Sequence, residues 1–186
     1  MINNIWGHLR ALFYYKWIFR KFDNSALLIK PLKIDNPKSI TVGRKTYIGH
    51  YAWLMGNTSE DKTTLEIGDY VQIGHFSHIV AFNCVKLENS VLLADKVFIS
   101  DCTHRYENIQ VPVFFQGVEV LKPVIIGEGS WLGENVCVCG ASVGKHCVIG
   151  ANSVVTRDIP DYCIAVGSPA RVVKRYNFDK NTWENC

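Results

Sequence analysis

The aliphatic positions of this chain recur every six residues. From Ile67, the residues six apart are Ile67, Ile73, Ile79, Val85, Val91 and Val97, all of them β-branched. A dipeptide of an aliphatic residue and glycine keeps the same step: Val42-Gly43 and Ile48-Gly49, Ile67-Gly68 and Ile73-Gly74, Ile126-Gly127 and Leu132-Gly133, Val143-Gly144 and Ile149-Gly150. A helix repeats every ~3.6 residues and a plain strand every two, so neither explains six with a glycine on its shoulder. A three-sided solenoid does. Each flat side takes about six residues, turns one aliphatic side chain inward, and needs a small residue where the chain crowds at a corner. Three sides make a coil of about eighteen residues, and coils stack at the strand spacing of about 4.8 Å. Alternating strands of a β-sandwich would not hold a six-residue phase.

The breaks in the repeat set the expected organisation. Residues 1–33 read as an N-terminal helical cap, residues 34–174 as the solenoid, and residues 175–186 as a tail. A polar excursion follows at Gly56-Asn57-Thr58-Ser59-Glu60-Asp61-Lys62. Residues 105–123 carry no period, hold two prolines and cluster Tyr106, Phe114 and Phe115, so they read as a loop thrown out of the coil. Loops this long on a regular scaffold are usually functional. Around Gly140-Ala141-Ser142 one turn is a residue short. Val136, Val138 and Val148 read as exposed apolar rows on one flat side, available to another copy of the chain.

Ile5 to Phe22 is helix-like, with Trp6, Leu9, Phe13 and Trp17 at three- and four-residue steps. Up to Lys33 this region holds Arg10, Lys16, Arg20, Lys21, Lys30 and Lys33 against Asp23 alone. It can cap the open end of the solenoid, and it can also rest on an anionic membrane surface; the two roles are compatible.

Composition narrows the class. With 186 residues, 48% hydrophobic and 20% charged, the chain suits one cored domain with short appendages. No uncharged apolar run is long enough to span a bilayer, and a net charge of +3 does not argue for nucleic acid. The seven cysteines form no CxxC or paired zinc spacing, and most sit among apolar residues. With no cleavable signal in view, the expected setting is a reducing cytoplasm with free thiols.

Of six histidines, His104 stands apart, because it lies where the repeat stops and the loop begins, in Ser100-Asp101-Cys102-Thr103-His104-Arg105-Tyr106. A side chain held between a stiff scaffold and a projecting loop suits catalysis. The cysteines have no histidine placed to activate them as nucleophiles.

Several stretches together resemble the hexapeptide-repeat acetyltransferases. They are Thr103-His104 through Pro112 and Gln116-Gly117 to Val124-Ile125-Ile126-Gly127, then Ser130-Trp131-Leu132-Gly133, then Ile149-Gly150-Ala151-Asn152-Ser153-Val154-Val155-Thr156-Arg157-Asp158-Ile159-Pro160, and Val166-Gly167-Ser168-Pro169-Ala170-Arg171-Val172-Val173-Lys174. The likeness covers most of residues 40–175. Within the family it points to the maltose and galactoside acetyltransferases and to the O-acetyltransferases of polysaccharide clusters. It implies an all-β, left-handed parallel β-helix, a homotrimer, and transfer of acetyl from acetyl-CoA to a sugar hydroxyl or a lipid-linked saccharide, in the cytoplasm or at the inner membrane face. His104 falls on the family's general base. Trp131, Ala151, Thr156, Arg157, Arg171 and Lys174 fall on positions that contact coenzyme A. By the same analogy the turn at Trp131–Glu134 offers a backbone N–H to the oxyanion. Glu134 departs from the small serine usual in galactoside acetyltransferases, and the acidic acceptor-sugar positions find no match around Phe82–Asn83. N-acetylation of an amino sugar is the near alternative. A zinc solenoid of the carbonic-anhydrase kind is the distant one, hinted at only by His75-x-x-His78, so no metal site is expected.

Overall fold

The computed structural model describes residues 11–57 and 62–186. It confirms the coil: three parallel sheets, each built from every third strand of the early turns. Face A stacks Lys21–Phe22, Ile40–Val42, Leu65–Ile67, Val85–Leu87 and Val124–Ile126. Face B stacks Leu27–Leu28, Tyr47–Ile48, Gln72–Ile73, Leu92–Leu93, Trp131–Leu132, Val148–Ile149 and Cys163–Val166. Face C stacks Lys33–Asp35, Trp53–Met55, His78–Val80, Phe98–Ser100, Cys137–Cys139 and Val154–Val155.

Two inward positions per side fill the interior. One is the strand centre or end, as in Ile67, Ile73, Ile79, Leu87, Leu93 and Ile99. The other closes the corner before the next strand. Val71, Val91, Ser130 and Cys147 do this between faces A and B, and Ala52, Ser77, Val97 and Val136 between faces B and C. The six-residue row passes from the first kind (Ile67, Ile73, Ile79) to the second (Val91, Val97), because a coil here spans twenty residues, with Ile67 beside Leu87 and Ile73 beside Leu93. Both kinds are buried, so the row stays apolar while its structural meaning changes.

The glycines and the turns divide the corner's demands. At Gly74 a Cβ would lie 2.4 Å from the backbone carbonyl carbon of Ala94, so the residue is small because the next coil passes against it. The positive φ that the corner needs falls instead on larger residues such as Lys45, Tyr70 and Ser90 on one edge and Tyr51, Phe76, Lys96, Asn135 and Asn152 on another. Their side chains point outward, and Tyr51 stacks on Phe76.

Three expectations change. Val136 and Val138 are fully buried, so they are core and not an exposed row; the outward residues of that strand are the half-buried Cys137 and Cys139, and Val148 is half-buried on face B. Four apolar residues in succession hide which alternate points inward. Secondly, coiled pairing begins at Lys21–Phe22, which lies parallel to Thr41–Val42, ahead of residue 34. The helical pattern ends at Ile18, where Phe19 turns to extended backbone. Of the cap, π-helical Ala11–Tyr15 and α-helical Lys16–Ile18 are described; Trp6, Leu9 and Arg10 lie outside the described residues. Tyr15, Phe19 and Phe22 form a buried aromatic plug over the end of the coil. Thirdly, the boundary drawn between residues 174 and 175 falls inside a strand. Arg171–Asn177 and Thr182–Asn185 continue face B as antiparallel strands. Tyr162, Tyr176, Phe178 and Trp183 pack edge to face beside them.

Candidate active site

The projecting segment is a hairpin. Cys102–His104 pairs antiparallel with Val118–Val120, with His104 opposite Val118. Beyond it, Gln116 fastens the loop on itself: its Nε2 donates to the carbonyls of Asn108 and Val111 at 2.9 and 2.7 Å, and its Oε1 accepts the Asn108 N–H. The tip leaves Ile109, Phe114 and Phe115 exposed.

Asp101, one residue before the hairpin, holds its root. Its side chain is 0% exposed, and its carboxylate accepts three backbone N–H bonds of 2.7 Å, from Phe82 to Oδ1 and from Asn83 and Cys84 to Oδ2. Its carbonyl accepts the Leu121 N–H as the hairpin returns. Beneath, Gly140 at φ +55° leaves room for Leu121, whose Cδ1 would sit 2.6 Å from any Cβ there. Lys122 then pairs with Asp158 at 2.7 Å, and that pairing, with the Ser142 N–H, keeps the Asp158 carboxyl below the ordinary carboxylate value. Asp101 was not among the residues expected from the sequence. An acid between a strand end and an unperiodic loop was its only signal.

His104 thus sits on a pinned strand, and it is exposed. No described residue hydrogen-bonds its ring, so the imidazole is open to a ligand. Three thiols lie near the hairpin's root, Cys102 on its first strand and Cys137 and Cys139 on the face C strand paired with Phe98–Ser100. Cys102 Sγ is 3.3 Å from Ser100 Oγ, and Cys137 Sγ is 3.5 Å from Cys139 Sγ. The contact with Cys139 holds the Cys137 thiol below its ordinary value, and burial pushes Cys102 up.

The six residues that the family resemblance assigns to coenzyme A lie in three places. Trp131 is exposed on face B, and register carries its row through Val148 and Ile164 to Lys174, with Arg171 opposite Val166 on the same sheet. Ala151 lies at the adjoining corner between faces B and C. Thr156 and Arg157 lie after face C, on the corner from which the hairpin with His104 springs. A single protomer therefore places its imidazole on one edge and its Trp131–Lys174 row on another face. Glu134 pairs with Lys96 at 2.9 Å, which gives its carboxylate a partner on its own corner. In the turn proposed for the oxyanion, the Trp131 and Gly133 N–H groups are spent on the carbonyls of Cys147 and Ile149. Only the Glu134 N–H is left without such a bond among the described residues.

His75 and His78 do separate work. His75 Nδ1 accepts the His50 N–H at 2.9 Å. His78 lies flat on Trp53 with ring centres 4.1 Å apart, and burial lowers its basicity. Among the described residues, no three metal-ligating side chains gather.

The family described as the hexapeptide repeat of succinyl-transferase matches residues 123–157. An Escherichia coli K12 protein, named as the lipopolysaccharide biosynthesis O-acetyl transferase WbbJ, is 37% identical over 172 residues, which span 89% of this chain and 86% of that one. The chain belongs to the hexapeptide-repeat acetyltransferases. A second member, named as acetyltransferase Rv3034c of Mycobacterium tuberculosis, is 36% identical over 146 residues, 78% of this chain; the chain spans 46% of that longer relative. Among solved structures, the N-acyltransferase AntD of Bacillus cereus, crystallised with coenzyme A and dTDP-4-amino-4,6-dideoxyglucose, has a TM-score of 0.74 at 20% identity and covers 89% of this chain and 88% of its own. That likeness speaks for the hexapeptide-repeat fold.

Proposed function

We propose that this protein transfers acetyl from acetyl-CoA to a hydroxyl of a sugar, in a polysaccharide or its lipid-linked precursor, with His104 as general base. The observation that carries the reading is His104 itself, an exposed imidazole on a strand pinned by Asp101, in a chain 37% identical to WbbJ along nearly its whole length. A thioester is already activated, so the protein needs mainly to deprotonate the acceptor. Neutral His104 takes the hydroxyl proton as the oxygen attacks the acetyl carbonyl carbon. The tetrahedral adduct collapses with breakage of the carbon–sulfur bond, and the imidazolium returns the proton to the leaving thiolate. Such a base is worth about 10²–10⁴ in rate. The Glu134 N–H is the donor left to face the oxyanion. Arg171 and Lys174 suit the coenzyme's phosphates, with Trp131, Ala151, Thr156 and Arg157 along its length.

The coil is left-handed and the working unit a cytoplasmic homotrimer in this reading. A neighbour's face would then bring its Trp131–Lys174 row to the His104 edge, which a lone chain keeps apart. His104→Ala should keep the fold and coenzyme A binding while transfer falls by at least ~10²-fold; undiminished thiol release would remove His104 from the mechanism. Assaying an amino-sugar nucleotide beside its hydroxyl counterpart decides between N- and O-transfer.

A further inference from the structure

The transfer chemistry leaves the outside of the N-terminal cap unused. Tyr15 and Phe19 point into the coil, but Phe13 and Trp17, one helical turn apart, are 74% and 75% exposed, and Tyr14 and Leu32 are exposed as well. Lys16, Arg20, Lys21 and Lys30 are exposed around them. This first coil holds two acids, Asp23 and Asp35. Asp23 accepts the backbone N–H and hydroxyl of Ser25, and Asp35 accepts the Trp53 indole N–H and pairs with Lys33 at 3.1 Å. Lys38 Nζ caps the Trp17 carbonyl at 2.7 Å and closes the cap against the coil.

We propose that this end of the solenoid docks on an anionic lipid surface. Phe13 and Trp17 enter the boundary between headgroups and acyl chains, and the lysines meet lipid phosphates. Charge decides between lipid and protein. A protein interface core is depleted of lysine, whereas here Lys16, Arg20, Lys21 and Lys30 are exposed on the same cap and coil as the aromatics, against the single carboxylate of Asp23 and an Asp35 already paired with Lys33. Aromatic rings flanked by cations are the composition of an interfacial anchor, and each basic residue near an anionic surface strengthens partitioning about fivefold. The first coil ends all three sheets, so among the described residues no further coil lies beyond this face. The docking does not depend on the acetyl-transfer reading.

The test is flotation of the full chain with vesicles holding about 30% phosphatidylglycerol, beside vesicles of phosphatidylcholine alone. Binding to the anionic vesicles is expected to fall about tenfold in Phe13→Ser/Trp17→Ser and about 25-fold in Lys16→Gln/Lys21→Gln, with unchanged melting midpoints. If the aromatic pair disturbs folding, the lysine pair alone carries the test. The proposal is overturned if the parent chain stays unbound, if either folded variant floats as the parent does, or if the aromatic variant instead lowers the mass seen by light scattering. No acetyl-CoA enters the assay, so its failure leaves the enzymatic reading standing.

Discussion

Replacing Asp101 by asparagine tests whether the hairpin is held by its root. The carboxylate accepts three backbone N–H bonds in a site with no solvent exposure. An amide has one oxygen. In its better orientation that oxygen keeps the Asn83 and Cys84 bonds, and the NH₂ faces the Phe82 N–H, donor against donor. A buried donor left unpaired costs about 1–3 kcal/mol, and the two surviving bonds each lose about 1 kcal/mol of charge assistance. The sum is about 3–5 kcal/mol, which for a chain of this size lowers the thermal midpoint by about 6–20 °C. Circular dichroism at fixed protein concentration measures the shift, and limited proteolysis reports whether cleavage appears first between residues 102 and 123. A midpoint within ~1 °C of the parent, with an uncut hairpin, would refute the reasoning, because the bonds would then not be what positions His104.

His78 gives a pH dependence. Burial lowers its basicity in the folded state relative to the ordinary value of 6.5, so the unfolded chain binds the extra proton; its neutral form supports the fold above that pH, and the support is lost as pH falls below it. His78→Phe keeps the stack on Trp53 and removes a buried Nε2 that has no partner, so its unfolding midpoint in urea should drop less than the parent's between pH 7.5 and pH 5. Mixing His104→Ala with Arg171→Ala/Lys174→Ala subunits after dissociation should restore about a quarter of the interfaces, and thiol release should recover to match if the site forms between chains. No recovery would place the site within one chain.

The coil was legible because every inward position, at strand or corner, must be apolar or small whatever its local role. What escaped shows the limits of that signal. The strand pairs Lys21–Phe22 and Leu27–Leu28 are too short to display a period, and they carry no aliphatic-glycine step. The run Val136-Cys137-Val138-Cys139 is apolar on both alternates, so only packing tells core from surface. Asp101 binds main-chain N–H groups, which every sequence supplies, so no partner residue advertised it. His104 was visible because the loop interrupts a regular scaffold beside it. The hand of the coil is beyond the pattern altogether, since either hand buries the same residues.

The same regularity explains why the candidate site is divided. Each side of a three-sided coil faces about 120° from the next, and stacking adds only translation along the axis. Trp131 and Lys174 share a row on face B, and no elongation of the coil would bring that row to the edge after face C where His104 stands. Only a projecting arm or a second chain can close the gap. The arm is present but tied down three times, through Asp101, through Leu121 over Gly140, and through Lys122 to Asp158. An arm so fixed does not fold back over its own face B. It holds Ile109, Phe114 and Phe115 out from the coil, where the face of a neighbour is the surface that could cover them. The rigidity that fixes the imidazole and the exposure of the hairpin's tip thus favour the same proposal, an active centre completed between chains.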